Sequence, residues 1–322
     1  MIFTSRAVLA CYLFLCAATG VLSRPLTRRQ QAISDIDILQ FALTLEHLEN
    51  TFYKKALSTF SEVDFIAAGF DEAFVKNLGF VAHDEEQHVV FLEAAITQAG
   101  ATPVASCQYN FPITDVLSFV NLATVLEGVG VSAYLGAATA ISSKSILNVA
   151  AAITVSEGLH LAVQRASIFD VVSANIAGTP LSPNAIFTIA SAFITSCPSS
   201  NAALPFTAFP SLSVNGVSNS AQSLAANTVA TLSMTGGNGT AIPSSAFVTF
   251  ISGIDIISVP AQVSNGAISV TVPQQVSGQT FGLLTSAPMN GTGAIFDDSK
   301  VIAGPAIMEI QPASPTIDFS IL

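Results

Sequence analysis

The chain has 322 residues, of which 21 are Asp or Glu and ten are Lys or Arg, so its formal net charge is −11. Four of the basic residues and none of the acidic ones precede position 30, so the remainder carries six basic against 21 acidic residues, or −15. A protein this acidic repels nucleic acid and anionic membranes and attracts cations. We therefore exclude nucleic acid as a partner. The residues after position 29 suffice for two domains of ordinary size.

The first 29 residues have the pattern of a targeting segment. Arg6 precedes an uncharged apolar run at residues 7–22, which is typical of a signal peptide. Arg28 and Arg29 form a dibasic pair of the kind at which a pro-segment is removed. We expect residues 1–29 to be a signal peptide with a short pro-segment. The protein is then secreted, to the extracellular space or the cell wall.

Residues 30–200 carry the periodicity of helices. Apolar residues recur at helical spacing, and capping residues precede the runs. The pattern predicts four long helices and a short fifth one, at about residues 34–58, 71–99, 114–142, 145–172 and 182–195. A long loop joins the second helix to the third, as is common in four-helix bundles.

Residues 201–322 have a different composition. No charged residue occurs between positions 171 and 254, and short β-branched runs alternate with Gly, Asn and Ser. This pattern predicts six or seven short strands in a small antiparallel β-sandwich. A Ser/Thr-rich linker is the alternative for residues 211–227. With no His or Cys and few acids, this half offers no catalytic site.

Two related motifs occur in the helical half. Glu46 stands seven residues before Tyr53, and Glu127 stands seven residues before Tyr134. Each pair is followed by a Glu-x-x-His sequence. Positions three and seven apart share one face of a helix, so all these side chains can point inward. The candidate ligands in chain order are Glu46, Glu85, His88, Glu127, Glu157 and His160.

Several of these acids lie in helices that are otherwise almost free of charge. Glu127 is the only charged residue between positions 116 and 143, and Glu157 shares residues 146–169 only with Arg165, which we expect at the helix end or the surface. A buried carboxylate is costly unless it is paired, protonated or bound to a cation. Four Glu and two His from four helices are the ligands of a carboxylate-bridged two-metal site. Such oxygen-rich ligands suit iron or manganese, so we predict two iron or manganese ions as cofactors.

Three further residues are candidates for chemistry beside the metals. Glu46 and Glu49 both face inward, and we choose Glu46 as the ligand because only it repeats the seven-residue interval to a tyrosine. Glu49 is then an extra ligand, an acid behind the ligands or a proton acceptor. Tyr53 and Tyr134 can donate a hydrogen bond or an electron near the metals, and ordinary core packing is the alternative for both.

The acidic run around Glu85, residues 83–88, could also be an ordinary solvent-exposed helix face. Acids and His clustered on a helix are usually a solvated face. The match with the second half of the helical region favours Glu85 and His88 as ligands. Their neighbours Asp84 and Glu86 are expected to point elsewhere.

Other features bear on the compartment. Cys107 and Cys197 are the two cysteines left after the targeting segment, and in a secreted protein we expect them to form a disulfide, with two free buried thiols as the alternative. Asn238 and Asn290 begin glycosylation sequons. The apolar stretch at residues 116–141 is interrupted by polar residues, so we expect no membrane span in the mature chain.

The helical region resembles the secreted ferritin-like family, which includes plant desiccation-related and fungal stress- or starvation-response proteins. The resemblance rests on the segments FALTLEHLENTFY, AHDEEQHVVFLEAA, LATVLEGVGVSAYLGAA and SEGLHLAVQRASIF, and it extends to the tail VIAGPAIMEI. It implies a ferritin-like bundle for the helical region. Together with the elements predicted above, this gives an α+β fold: a ferritin-like four-helix bundle with a short fifth helix, followed by a small antiparallel β-sandwich. The metal positions of the family map onto the six candidate ligands. The resemblance implies a site rather than a reaction.

Two functions of different classes fit these observations. The first is a di-iron or di-manganese oxidoreductase that acts on peroxide or dioxygen in oxidative, desiccation or starvation stress. The second is a non-enzymatic extracellular or cell-wall stress protein whose metal site is structural or vestigial, with cell-wall contacts through the β-domain. Iron storage in a closed shell is a third option, which the attached β-domain would obstruct.

Overall fold

A computed structural model describes most of the chain from residue 33 onward. The predicted signal peptide and pro-segment lie outside the described part, as does the sequon at Asn238. The described residues are 33–214, 221–237, 242–264, 266–293 and 297–321.

Six α-helices precede the two larger sheets in the described residues. Ser34 caps the first helix, because its hydroxyl accepts from the backbone N–H of Asp37 while the Asp37 carboxylate accepts from the N–H of Ser34. Asp71 and Asp115 cap the third and fourth helices through the same kind of contact. The helices are α1 Asp35–Thr59, α2 Glu62–Ala67, α3 Glu72–Gln98, α4 Val116–Ala137, α5 Lys144–Ser167 and α6 Pro183–Ser191.

The four long helices and the short one near residue 183 match the predicted helical region, with three differences at the ends. Helix α6 stops at Ser191, before the predicted end near residue 195, because Ile194–Ser196 is a short strand. Helix α5 stops at Ser167, before the predicted end near residue 172, because Phe169 has a φ of 62° that a right-handed helix cannot continue. Helix α4 stops at Ala137, and one turn of 3₁₀ helix follows. The six-residue helix α2 was not predicted, since so short a segment shows no periodicity.

A sheet-rich region follows the helices. One six-stranded sheet has the order β11-β7-β6-β10-β12-β4, and one four-stranded sheet has the order β3-β5-β9-β8. A two-stranded pair, β1 with β2, lies within the helical region. The strands are β1 Gln108–Tyr109, β2 Ile194–Ser196, β3 Ser211–Val214, β4 Gln222–Ala225, β5 Val229–Thr235, β6 Phe247–Ser252, β7 Asp255–Pro260, β8 Gln262–Ser264, β9 Ala267–Thr271, β10 Gly278–Thr285, β11 Gly291–Thr292 and β12 Val301–Gln311.

The sheets differ from the predicted pattern in three ways. The described residues after position 200 form ten strands, β3 to β12, rather than six or seven, because several have only two to four residues and are too short to show an alternating pattern. Strands β3 and β4 occupy parts of residues 211–227, so the linker alternative for that segment is wrong. Strand β4 pairs parallel to β12, whereas every other described pair is antiparallel. Side chains of both sheets, among them Leu232, Ile268, Phe250 and Met308, form one buried apolar cluster.

The sheets also contact the helices. Ile251, Phe281 and Ile307 of the six-stranded sheet belong to the buried cluster that fills the helical region. Arg165 of α5 is only 3% exposed and donates two hydrogen bonds to the Glu309 carboxylate, at 2.9 and 2.6 Å. Arg165 lies in the last turn of α5, in agreement with the predicted helix end, but the alternative of a surface position is wrong because the side chain is buried. The physical reason is its partner on β12, which makes burial of the guanidinium tolerable.

A disulfide ties the helical region together. Cys107 and Cys197 are bonded, with their Cα atoms 4.3 Å apart, which confirms the predicted pair. The bond lies next to the β1–β2 pairing and joins the loop before α4 to the segment after α6.

Two helical segments are long and apolar enough to cross a membrane by composition, Val116–Ala140 and Lys144–Ser167. The first is mostly covered by the rest of the protein. Both place fully buried acids in the interior, Glu127 from the first and Glu157 from the second. The described residues therefore show no clear membrane span.

Candidate metal centre

The six candidate ligands come from four different helices. Helix α1 supplies one glutamate, α3 a glutamate and a histidine, α4 one glutamate, and α5 a glutamate and a histidine. The acids are at most 1% exposed, which confirms that they face the interior. The structure brings together Glu46, Glu85, His88, Glu127, Glu157 and His160.

These side chains form two groups that share members. In each group one ligand atom per residue lies within 4.8 Å of all the others. The first group adds Glu46 and His88 to a shared pair, and the second adds Glu127 and His160 to it. The shared pair is Glu85 and Glu157. Two neighbouring four-ligand groups with two carboxylates in common have the arrangement of two cations bridged by carboxylates.

Both histidines present the same ring nitrogen to the acids. Nδ1 of His88 lies 3.2 Å from Glu46 Oε2 and 3.5 Å from Glu85 Oε2. Nδ1 of His160 lies 2.8 Å from Glu85 Oε1 and 3.3 Å from Glu127 Oε2. The two halves of the centre therefore repeat each other in geometry as well as in sequence.

Many of these buried atoms have no hydrogen bond. Among the described residues, both carboxylate oxygens of Glu85 and of Glu157, Oε2 of Glu127 and Nδ1 of His160 lack a partner of suitable geometry. The 2.8 Å contact of His160 with Glu85 is close but not directed as a hydrogen bond. Unpaired buried polar atoms are costly and rare in folded proteins. Cations between these donors would satisfy all of them, so the residues present fit a two-metal cofactor.

The protonation equilibria point the same way. Burial, followed by the charges of Glu85 and Glu49, raises the pKa of Glu157 well above its ordinary value. Burial raises the pKa of Glu85 to about 7, although contacts with the two histidines oppose it. Burial lowers the pKa of His88, but its carboxylate partners outweigh burial and raise it to about 10. The same balance raises the pKa of His160 to about 11. In the absence of metal, these carboxyl and imidazole groups therefore hold protons at the atoms that would otherwise bind cations.

The two tyrosines bind ligand carboxylates across the centre. The Tyr53 hydroxyl, on α1, donates to Glu127 on α4, and the Tyr134 hydroxyl, on α4, donates to Glu46 on α1. Each tyrosine therefore holds the glutamate of the other motif. Burial, with the charge of its glutamate partner next, raises the pKa of each phenol well above 10. Both hydroxyls therefore stay protonated and act as hydrogen-bond donors. The alternative of ordinary core packing does not account for these two contacts with carboxylates.

Glu49 lies beside the centre and belongs to neither group. It is 5% exposed, and burial, followed by the charges of Glu85 and Glu46, raises its pKa well above the ordinary value. A Cβ added at Gly130 would lie 2.3 Å from Glu157 Oε2 and 3.2 Å from Glu49 Oε1. Glycine at position 130 thus leaves room for both carboxylates. A cavity of about 20 Å³ next to Glu49 has room for one water.

Further residues support the ligands without having been predicted. Asp84 Oδ2 lies 3.3 Å from Nε2 of His160, so the expectation that Asp84 points elsewhere is wrong, whereas Glu86 points to the surface and binds Lys54. Gln164 donates to the Tyr53 hydroxyl at 3.2 Å. Gln164 follows Glu157 by seven residues, so the two side chains share a helix face. This spacing in the sequence could have predicted that Gln164 points towards the centre. Asp84 carries no comparable signal, because its partner is on another helix.

A comparison with protein families identifies the helical part. Residues 34–170 match the family described as the ferritin-like domain. The chain contains a ferritin-like domain. The match spans α1 to α5 and includes all six candidate ligands. A comparison of the chain with curated proteins finds no match.

Proposed function

We propose that this protein holds two iron or manganese ions between α1, α3, α4 and α5, which form a ferritin-type four-helix bundle, and that the two sheets behind them form a β-sandwich. One observation carries the proposal: two buried four-ligand groups share the carboxylates of Glu85 and Glu157. The hard carboxylate oxygens favour iron or manganese over softer metals.

Iron or manganese ions bound here would supply Lewis acidity and electrons for the reduction of dioxygen or peroxide. The residues of the chain provide the surroundings for that chemistry. The two tyrosine hydroxyls orient the Glu127 and Glu46 carboxylates through their hydrogen bonds. Asp84 orients His160 from the far side of its ring. Glu49, with a raised pKa next to Glu157, holds a proton at the edge of the site.

We propose oxidoreductase activity on peroxide or dioxygen, in the response to oxidative, desiccation or starvation stress. The non-enzymatic alternative gives the metals a structural role in an extracellular or cell-wall protein. Secretion is supported by the apolar, acid-free N-terminal segment and by the Cys107–Cys197 disulfide, since disulfides persist in oxidising compartments. Cell-wall contacts through the sheet-rich region are part of the same proposal.

Metal content tests the centre directly. We expect about two iron or manganese ions per purified chain, measured by elemental analysis after growth with both metals. Glu85→Gln should lose most of the metal, because Glu85 belongs to both groups. Glu86→Gln is the matched control, since the neighbouring side chain lies at the surface with Lys54. Wild-type protein free of both metals would remove the proposal.

Turnover separates the two functions. An oxidoreductase should consume peroxide or dioxygen when metal-loaded, and Glu127→Gln should abolish this. If a chelator lowers the melting temperature of the wild type while no oxidant is consumed, the structural function stands and the enzymatic one falls.

A further inference from the structure

An apolar cavity lies inside the helical region of the described part of the chain. Its volume is about 380 Å³. The N-terminal halves of α1 and α5 and the C-terminal ends of α3 and α4 form its walls. The lining is almost entirely aliphatic and aromatic, and none of the described residues that line it carries a charge.

One end of the cavity reaches the candidate metal centre. Tyr134 lines it, and the hydroxyl of the same tyrosine donates to Glu46. Leu45, next to Glu46 in the sequence, lines it as well. Tyr134 is only partly buried, in contrast to Tyr53, which is 1% exposed. The phenol ring of Tyr134 thus forms the boundary between the cavity and a ligand carboxylate.

The other end of the cavity reaches the surface. Gln98 at the end of α3 and Ser145 at the start of α5 line the cavity and are exposed. Phe91, also in the lining, is 45% exposed. Apart from Tyr134, Gln98 and Ser145 are the polar side chains of the lining, and both are uncharged.

Size and lining define the class of ligand. A buried cavity of about 150 Å³ binds benzene, so in proportion a cavity of about 380 Å³ holds roughly 15 carbon atoms. Binding pockets of this size are typically apolar with a few polar groups that orient the ligand. The cavity has polar groups at its mouth and apolar walls inside. This arrangement suits an aliphatic ligand that has one polar end.

We propose that this cavity binds an unbranched aliphatic chain of about 10 to 15 carbons with an uncharged polar head, and that the chain enters methyl end first. The polar head stays at the mouth with Gln98 and Ser145, and the methyl end lies against Tyr134. The position next to the ligand carboxylate rests on the proposed metal centre, and it makes the aliphatic chain the substrate class of that centre.

Binding is measured by displacement of the uncharged fluorophore N-phenyl-1-naphthylamine from the full chain. In the series 1-octanol, 1-decanol and 1-dodecanol, each added methylene should tighten binding about fourfold, because each is removed from water. Equal affinities across the series, or no displacement at all, would overturn the proposal.

Filling the cavity provides the matched variants. Ala150 of α5 is buried and lines the cavity, whereas Ala152 of the same helix is exposed and does not. Ala150→Phe should weaken 1-decanol binding at least tenfold, and Ala152→Phe should leave it unchanged. Ala95→Phe blocks the cavity from α3 and serves if Ala150→Phe does not fold. Wild-type affinity in a folded blocking variant would contradict the assignment.

The orientation is tested by nuclear magnetic resonance of 1-decanol bound to protein loaded with Mn²⁺, which broadens the signals of nearby protons. The methyl protons should broaden more than the protons next to the hydroxyl. The reverse order, or no broadening, would overturn the placement against Tyr134. If the protein binds the alcohol but takes up no metal, the proposed metal centre is refuted and the cavity still binds an aliphatic chain. Metal uptake without alcohol binding would refute only the cavity proposal.

Discussion

The two ends of the helical region surround equivalent tyrosines in different ways. Tyr53 lies within an aromatic cluster, with its ring 5.9 Å from that of Phe119 and 5.5 Å from that of Phe52. Tyr134 makes the equivalent hydrogen bond but borders a 380 Å³ cavity. The ligands therefore repeat closely while their surroundings do not. One end is packed for stability, and the other leaves space next to a ligand.

The largest expected effect comes from loosening the packed end. Phe119 is fully buried between Phe52, Tyr53 and Phe65, so Phe119→Ala should lower the free energy of unfolding by about 3–5 kcal/mol. Phe91→Ala at the open end should cost less than about 1 kcal/mol, since that side chain is 45% exposed. Urea unfolding measures both. Equal losses would show that the two ends do not differ in packing.

The pH dependence tests the ligands that both ends share. The raised pKa of Glu85, about 7, means that the folded metal-free protein keeps a proton that the unfolded chain loses near pH 4.5, so this contribution to stability falls as pH rises towards 7. The raised pKa of His88, about 10, gives stability that is complete below about pH 6.5 and is lost as pH approaches 10.

Metal ions displace these protons, so metal binding should strengthen as pH rises. We expect the metal-induced increase in melting temperature, followed by calorimetry, to widen from pH 5 to pH 8. An increase that narrows over this range would contradict the assignment of Glu85 as a ligand.

Gly130 tests the space inside the centre itself. Gly130→Ala should lower metal affinity by about 10- to 100-fold, because the new Cβ meets the carboxylate of Glu157. Gly158→Ala is the control, since a Cβ there meets nothing within 4 Å and alanine favours the helix by about 1 kcal/mol. Metal titrations of the two variants should separate clearly. Equal affinities would mean that the Glu157 carboxylate moves without loss.

The smallest effect should distinguish the two tyrosines. Tyr53→Phe leaves Glu127 and Gln164 without a buried partner and should cost about 1–3 kcal/mol of stability in the metal-free protein. Tyr134→Phe should cost less, because the cavity beside it can admit water to Glu46. Thermal unfolding of the metal-free variants decides this. A larger loss for Tyr134→Phe would reverse the comparison of the two ends.

The sequence predicts which Glu and His side chains are grouped in the interior better than it predicts their surroundings. Glu127 and Glu157 are recognisable because an acid in an otherwise apolar helix needs a partner. The burial of Arg165 was not predicted, because its partner Glu309 comes 144 residues later and no local pattern connects them. The space at Gly130 and the 380 Å³ cavity result from packing between helices, which leaves no periodic signal. The strand β4 was missed because its parallel pairing with β12 joins distant segments.

The crossed tyrosine bonds have a consequence for assembly. Helices α1 and α3 pair as one hairpin and α4 and α5 as another, yet Tyr53 serves the second hairpin and Tyr134 the first. Neither hairpin can complete a coordination sphere alone. Under the proposed function, metal uptake therefore requires the two hairpins to be docked, because neither hairpin alone holds all six candidate ligands.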